Sequence, residues 1–190
     1  MQRKYMFCGI VLMAGFVFSG CANNRELIAK ASHATRSDVF VEIANSDAPP
    51  EREKAIADIN FSVKSNSSYF FGVYNRHSNP PYRVTVKIDG QTMALESEPV
   101  LEAKSPIDAS IPESGTGWKY QFSKRIALTP GKHNLTVALP FDDVIVKQNV
   151  ELHAGTNTIT VTPVYNKRSL RPYKGQNFTA GVKTLEITAT

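Results

Sequence analysis

The chain has 190 residues, 42% of them hydrophobic and 21% charged, with a formal net charge of +5. That length supports one large or two small domains with a sizeable core, and so mild a charge gives no argument for a nucleic-acid partner. With only two cysteines, a disulfide framework and a cysteine-rich zinc cage are both excluded, so stability must come from apolar burial.

Residues 1–20 differ from everything that follows. Arg3 and Lys4 give a short positive start, and from Tyr5 to Phe18 no residue is charged. Such a run matches the apolar middle of a secretory signal and falls short of the roughly 20 residues that span a bilayer. Ser19 and Gly20, both small, lead into Cys21. Phe18-Ser19-Gly20-Cys21 resembles the lipobox of bacterial lipoproteins, with Phe18 where that family usually carries Leu. The resemblance implies a diacylglyceryl thioether on Cys21, cleavage before it and acylation of the new amino terminus. Ala22, standing where an Asp would retain an enteric lipoprotein in the inner membrane, implies the outer membrane facing the periplasm. A signal cut at an ordinary site, or an uncleaved anchor, is the alternative. Cys8 lies within the segment to be removed, so Cys21 is the one thiol left, and acylation accounts for it.

Residues 21–37 read as the lipidated amino terminus and a flexible tether, polar and small apart from Leu27 and Ile28, with one helical turn at most. Fully extended, residues 22 to 38 would reach roughly 55 Å. Residues 38–190 read as a single all-β domain. Val39, Val41 and Ile43 alternate with Phe40 and Glu42, which predicts the first set inward and the second outward. The one helix-like stretch is a turn over Glu51 to Ala57, after Pro49 and Pro50. Ile59, Phe61 and Val63 follow, then Val84, Val86 and Ile88 with Thr85 and Lys87 opposite. Trp118, Tyr120, Phe122, Ile126 and Leu128 share one parity, interrupted by Lys124, which requires either a bulge or a lysine reaching out at the rim. Leu135, Val137 and Leu139 run into a turn from Pro140 to Asp143, and Val144, Val146, Val150 and Leu152 return as the second arm of a hairpin. A turn at Ala154 to Asn157 leads to Ile159 and Val161, flanked by outward Thr158, Thr160 and Thr162, and Leu185 and Ile187 mark a last strand. Half-buried strands separated by Gly, Pro, Asn and Asp predict an antiparallel two-sheet β-sandwich.

Over about residues 82 to 163 three segments carry a second resemblance. Val84 to Gly90, then Leu128-Thr129-Pro130-Gly131-Lys132-His133, then Val150 to Gly155 are similar to the strand-Asp-Gly, Leu-x-Pro-Gly-x-His and strand-Gly elements of PEGA-type and related β-sandwich modules of bacterial envelope proteins. The resemblance implies an Ig-like or PEGA-like sandwich and no particular reaction. A PEGA repeat has few residues where this chain has Ala94 to Tyr120, and Phe141-Asp142-Asp143 replaces its aromatic.

Catalytic signatures are missing from the sequence: there is no Gly-x-Ser-x-Gly elbow, His-Glu-x-x-His pair or phosphate loop, and Ser114-Gly115-Thr116-Gly117 reads as a flexible turn. No catalytic residue, metal site or cofactor is assigned. Opposite parity separates His133 from His153, which argues against a shared metal, and the adjacent Asp142 and Asp143 read as turn-solvating acids. Two loops concentrate interface-type residues. Tyr74, Arg76, His77, Tyr82 and Arg83 gather around Pro80 and Pro81, and the competing reading there is rings that cap the open end of the sandwich. Lys167, Arg168, Arg171 and Lys174 surround Tyr173 in a loop expected to be exposed, to which an anionic envelope component such as lipid phosphate or an acidic glycan would bind.

The expected function is thus a lipid-anchored envelope protein with a non-catalytic binding or structural domain. Its expected partners are the membrane and an envelope protein, peptidoglycan or anionic glycan. A carbohydrate-active or other hydrolytic enzyme, which needs two carboxyl groups about 5 to 10 Å apart in a cleft, and an accessory subunit of an envelope complex are the alternatives.

Overall fold

The computed structural model describes residues 20–43, 53–66, 82–103, 106–171 and 174–190. In chain order these form α1 (Gly20–Ala31), β1 (Phe40–Glu42), β2 (Ala55–Asn66), β3 (Val84–Ile88), β4 (Gln91–Leu95), β5 (Val100–Glu102), β6 (Gly117–Leu128), β7 (Gly131–Leu139), β8 (Val144–Leu152), β9 (Gly155–Tyr165), β10 (Lys167–Arg168), β11 (Gly175–Gln176) and β12 (Val182–Ala189). A 3-10 turn, Phe178–Ala180, precedes β12.

The period-two pattern is realised as an all-β sandwich. One sheet has six strands in the order β1-β6-β2-β9-β12, with β5 also paired to β6; the other has four in the order β4-β3-β7-β8. Side chains of both sheets meet in one core, among them Ile59, Phe61, Tyr120, Phe122 and Ile159 from the first and Val86, Ile88, Leu135 and Leu139 from the second. Phe61 and Phe122, directly opposite in the β2–β6 ladder, stack at 5.6 Å. That ladder runs without interruption from Ala55↔Leu128 to Asn66↔Gly117. There is therefore no bulge at Lys124, whose ammonium reaches the rim and pairs with Glu42.

Four expectations need correction. Phe40, not Val41, faces the core: Phe40 is 5% exposed and Val41 70%. Val39, Phe40 and Val41 put an apolar residue on either parity, and the larger ring takes the buried side. Ala55 to Ala57, expected in a turn, begin β2. Trp118 is only half-buried and packs at the margin of the core. Finally, β2 pairs with β9 in parallel, Ala55↔Gly155 through Phe61↔Val161, so the sheets are not antiparallel throughout.

The expected tether also differs. From Gly20 to Ala31 the backbone is a 12-residue helix, about 18 Å long at about 1.5 Å per residue. Ala, Leu, Glu, Lys and Arg are strong helix formers, and Glu26 pairs with Lys30 one turn on. Ile28 and Ala31 lie buried against Ala138 and Ile145 on the outer face of the four-stranded sheet. Beyond the helix the chain is tied to that sheet by Thr92 Oγ1 on the Ala31 carbonyl (3.1 Å), Lys87 Nζ on His33 O (2.7 Å) and Thr35 N on Gly90 O (2.8 Å). Gly90 must be glycine there: its φ is +99°, and a Cβ would stand 2.5 Å from Thr35 Oγ1.

Strand directions give the sandwich two poles. At one pole lie the β3–β4 turn, the start of β7 and the start of β9. At the other lie the amino end of α1, the β7–β8 turn and the β10–β11 hairpin.

Candidate functional site

At the first pole one turn is tied to the start of a neighbouring strand. Asp89 and Gly90 form a two-residue turn with φ of +45° and +99°, the geometry that Asp-Gly favours in hairpins. The Asp89 carboxylate accepts the Asn134 amide at 2.7 Å and meets His133 Nδ1 at 2.7 Å, while His133 Nε2 lies 2.8 Å from Thr129 O. The β3–β4 turn and the start of β7 thereby contact each other. Burial acts to raise the Asp89 carboxyl, but the Asn134 amide and the His133 ring outweigh it, and the net shift is downward. His153 is exposed and away from His133's face, as parity predicts. Among the described residues no cluster of three or more His, Cys, Asp or Glu is placed to hold a metal ion.

The second pole is built from residues distant in sequence. Lys64, on the outer face of the six-stranded sheet, has no exposed side-chain surface. Its ammonium donates to Glu102 Oε2 at 2.9 Å, Glu113 O at 3.0 Å and Gly115 O at 2.7 Å, and sits 5.1 Å from the centre of the Phe178 ring. All three N–H donors of a lysine are thus used. Glu113 in turn accepts Tyr165 OH at 2.7 Å and pairs with Lys119, while the Tyr165 oxygen accepts the Lys64 amide at 2.9 Å. Burial, and then the Glu113 carboxylate, hold the Tyr165 phenol well above its ordinary value, so it stays a donor. This network fastens the excursion between β5 and β6 onto the sheet. Ser114 to Gly117, expected as a flexible turn, is packed: Ser114 is 2% exposed, and a Cβ on Gly117 would lie 2.5 Å from Ser65 O and 2.6 Å from Phe178.

A second bracket joins the sheets. The Asp142 carboxylate accepts Tyr82 OH through one oxygen and the Val182 amide, at 2.8 Å, through the other. Tyr82 is buried against Tyr120 and Phe141, and burial followed by the Asp142 charge pushes its phenol well above the ordinary value. Tyr82 is therefore a capping ring and not an exposed binding residue. Asp143, with φ of +54°, holds α1: its carbonyl accepts Asn24 Nδ2 at 3.2 Å, and its carboxylate accepts two guanidinium N–H groups of Arg25 at 3.3 Å. The paired acids serve as brackets.

Of the residues singled out in the sequence, Tyr74, Arg76, His77 and Tyr173 lie outside the described residues. Cys21 is part of α1, seated by its backbone in the first turn. Arg83 is exposed, and Lys167, Arg168, Arg171 and Lys174 are exposed as expected, though Lys167↔Gln176 and Arg168↔Gly175 pair as a small hairpin where a plain loop was expected. Sequence reading missed Lys64, Glu102, Glu113 and Tyr165. Nothing in the sequence marks them, since Lys64 stands at the outward parity of a regular strand.

Between α1 and the β3–β4 side of the second sheet runs a groove of about 1350 Å³. Ile28, Ala29, Ala94 and Leu95 give it apolar surface, and Arg25, Arg83, Glu96 and Glu98 give it charges of both signs. Such a surface can hold an extended segment with apolar and charged groups. Comparison with protein-family models, with curated proteins and with solved structures finds no match to this chain.

Proposed function

We propose that the chain is a lipid-anchored protein of a bacterial cell envelope, whose β-sandwich serves as a non-catalytic binding or structural module. The observation that carries this reading is Phe18-Ser19-Gly20-Cys21 at the end of an uncharged run that begins after Arg3 and Lys4. Outer-membrane attachment facing the periplasm follows from Ala22 by the same resemblance. On this reading a lipid at Cys21 would lie a single helical turn from Asn24 and Arg25, both fastened to Asp143. The domain would then rest close to the membrane instead of hanging from it. The groove beside α1 is the surface proposed for the partner. Its mixed charge suits a peptide segment of an envelope protein, or the peptide stems of peptidoglycan, better than a uniformly anionic glycan.

The test is the chemistry of residue 21. Cells grown with labelled palmitate should yield labelled protein, and the amino-terminal peptide should begin at Cys21 with the mass of a diacylglyceryl group and one further acyl chain. Cys21→Ser should abolish the label and leave unprocessed precursor. A mature wild-type protein with no fatty acid on Cys21 overturns the proposal.

A further inference from the structure

The β10–β11 hairpin carries the strongest concentration of unpaired charge in the described structure. Lys167, Arg168, Arg171 and Lys174 are all exposed, and none forms an ion pair with a described residue. Among them stands Leu170, 77% exposed, more than any other large hydrophobic side chain described. A solvated loop does not need an apolar tip. A cationic hairpin that presents a leucine has the composition of a membrane-surface contact, in which the apolar group enters the headgroup zone while basic groups take the lipid phosphates.

Placement adds an independent argument. Cys21 precedes Asn24 by three residues of helix, about 4.5 Å along the axis at about 1.5 Å per residue. Asn24 and Arg25 hold Asp143, the neighbouring Asp142 holds the Val182 amide, and Gly181 O accepts the amide of Asn166, the residue that opens the hairpin. The amino end of α1 and the base of the hairpin therefore belong to one pole, joined through the β7–β8 turn. On the opposite side of the hairpin, Gly175 lies against Ala109. The nearby Asp108 carboxylate accepts the amide and hydroxyl of Ser110, at 2.8 and 2.7 Å, and forms no ion pair with the described hairpin cations.

We infer that this hairpin is a second membrane contact, with Leu170 entering the interfacial zone of an anionic bilayer and Lys167, Arg168, Arg171 and Lys174 on its phosphates. The inference rests on the reading of Cys21 as the lipid attachment site, which brings this pole to the surface. Lipid and hairpin together fix the orientation of the domain, because one attachment leaves it free to rotate and two do not. Basic groups close to an anionic leaflet are drawn to it over about a Debye length.

The experiment uses the full-length protein purified from membranes in detergent and reconstituted in vesicles of phosphatidylcholine, with or without phosphatidylglycerol. Leu170→Cys, labelled with an environment-sensitive dye, reports on the hairpin; His153→Cys, at the other pole, is the control. The label at 170 should shift to the blue and become accessible to a lipid-borne quencher on anionic vesicles, while the label at 153 remains in water. Replacing the four cations with Ser should abolish the shift at 170 without releasing the protein. Lipidated protein whose label at 170 stays in water, or shifts equally on neutral vesicles, overturns the hairpin contact alone. Protein without lipid on Cys21 overturns the anchor reading and, with it, the orientation argued here.

Discussion

The two poles of the sandwich are closed by different chemistry. At one, Asp89, Gly90, Thr129 and His133 sit within a few residues of the turns they stabilise, and one carboxylate on an amide and a ring completes the arrangement. At the other, Lys64, Glu102, Glu113 and Tyr165 come from four separate segments and are spent on holding a long excursion to the sheet. Joining a tight turn to a strand start needs only the few polar groups those segments already carry. Closing an end over long connections requires buried polar groups whose partners must all be present, because an unmatched one costs more than a matched one contributes. The surfaces with interface character, the groove beside α1 and the cationic hairpin, border this second pole.

That contrast can be tested by substitution. Lys64→Met fills the same space but strands the carbonyls of Glu113 and Gly115 and removes one partner of Glu102. It should lower stability by about 3 kcal/mol, with proteolysis appearing first between β5 and β6. A loss below about 1 kcal/mol, read from the urea midpoint, would mean that the excursion is held by packing alone. Tyr82→Phe keeps the ring and removes the hydroxyl from Asp142, and a bond to a charged acceptor lost in this way should cost about 2 kcal/mol.

At the first pole the effects should be smaller. Asp89→Asn retains the left-handed turn, which Asn tolerates, and should cost about 1 kcal/mol. The same site predicts an acid limb. Asp58, held low chiefly by its hydrogen bonds from Arg125 at 2.6 and 2.7 Å and then by that charge, joins Asp89 in having a folded-state pKa below the ordinary carboxylate value. Their contribution is therefore complete above about pH 4 and is lost as the pH falls through the folded values. Asp58→Asn with Asp89→Asn should flatten the fall in stability below about pH 4; an unchanged acid limb would assign it to other carboxylates.

Legibility in the sequence followed the same division. Alternation located Val84 to Ile88, Leu135 to Leu139 and Val144 to Leu152, and Asp89-Gly90 was readable as a turn because two residues suffice to specify it. The edge strand β1 was misread because three consecutive apolar residues carry no parity. Helix α1 was missed because its buried face amounts to Ile28 and Ala31, too narrow a stripe to stand out. Lys64 could not be found at all. Outward parity on a strand reads as solvent, and what covers this lysine, Glu102, Glu113, Gly115 and Phe178, arrives much later in the chain.

The parallel pairing of β2 with β9 also governs when the fold can be completed. Lys64 and Tyr165, joined by a hydrogen bond, are 101 residues apart, and the ladder from Ala55↔Gly155 to Phe61↔Val161 spans a comparable separation. Contacts of that range are slow to form, since loop closure must precede any gain. A chain emerging amino terminus first exposes the β9 edge of β2 until residues beyond Gly155 have followed. The domain therefore stays open through most of its own emergence. Its closing step waits on roughly the last fifth of the chain.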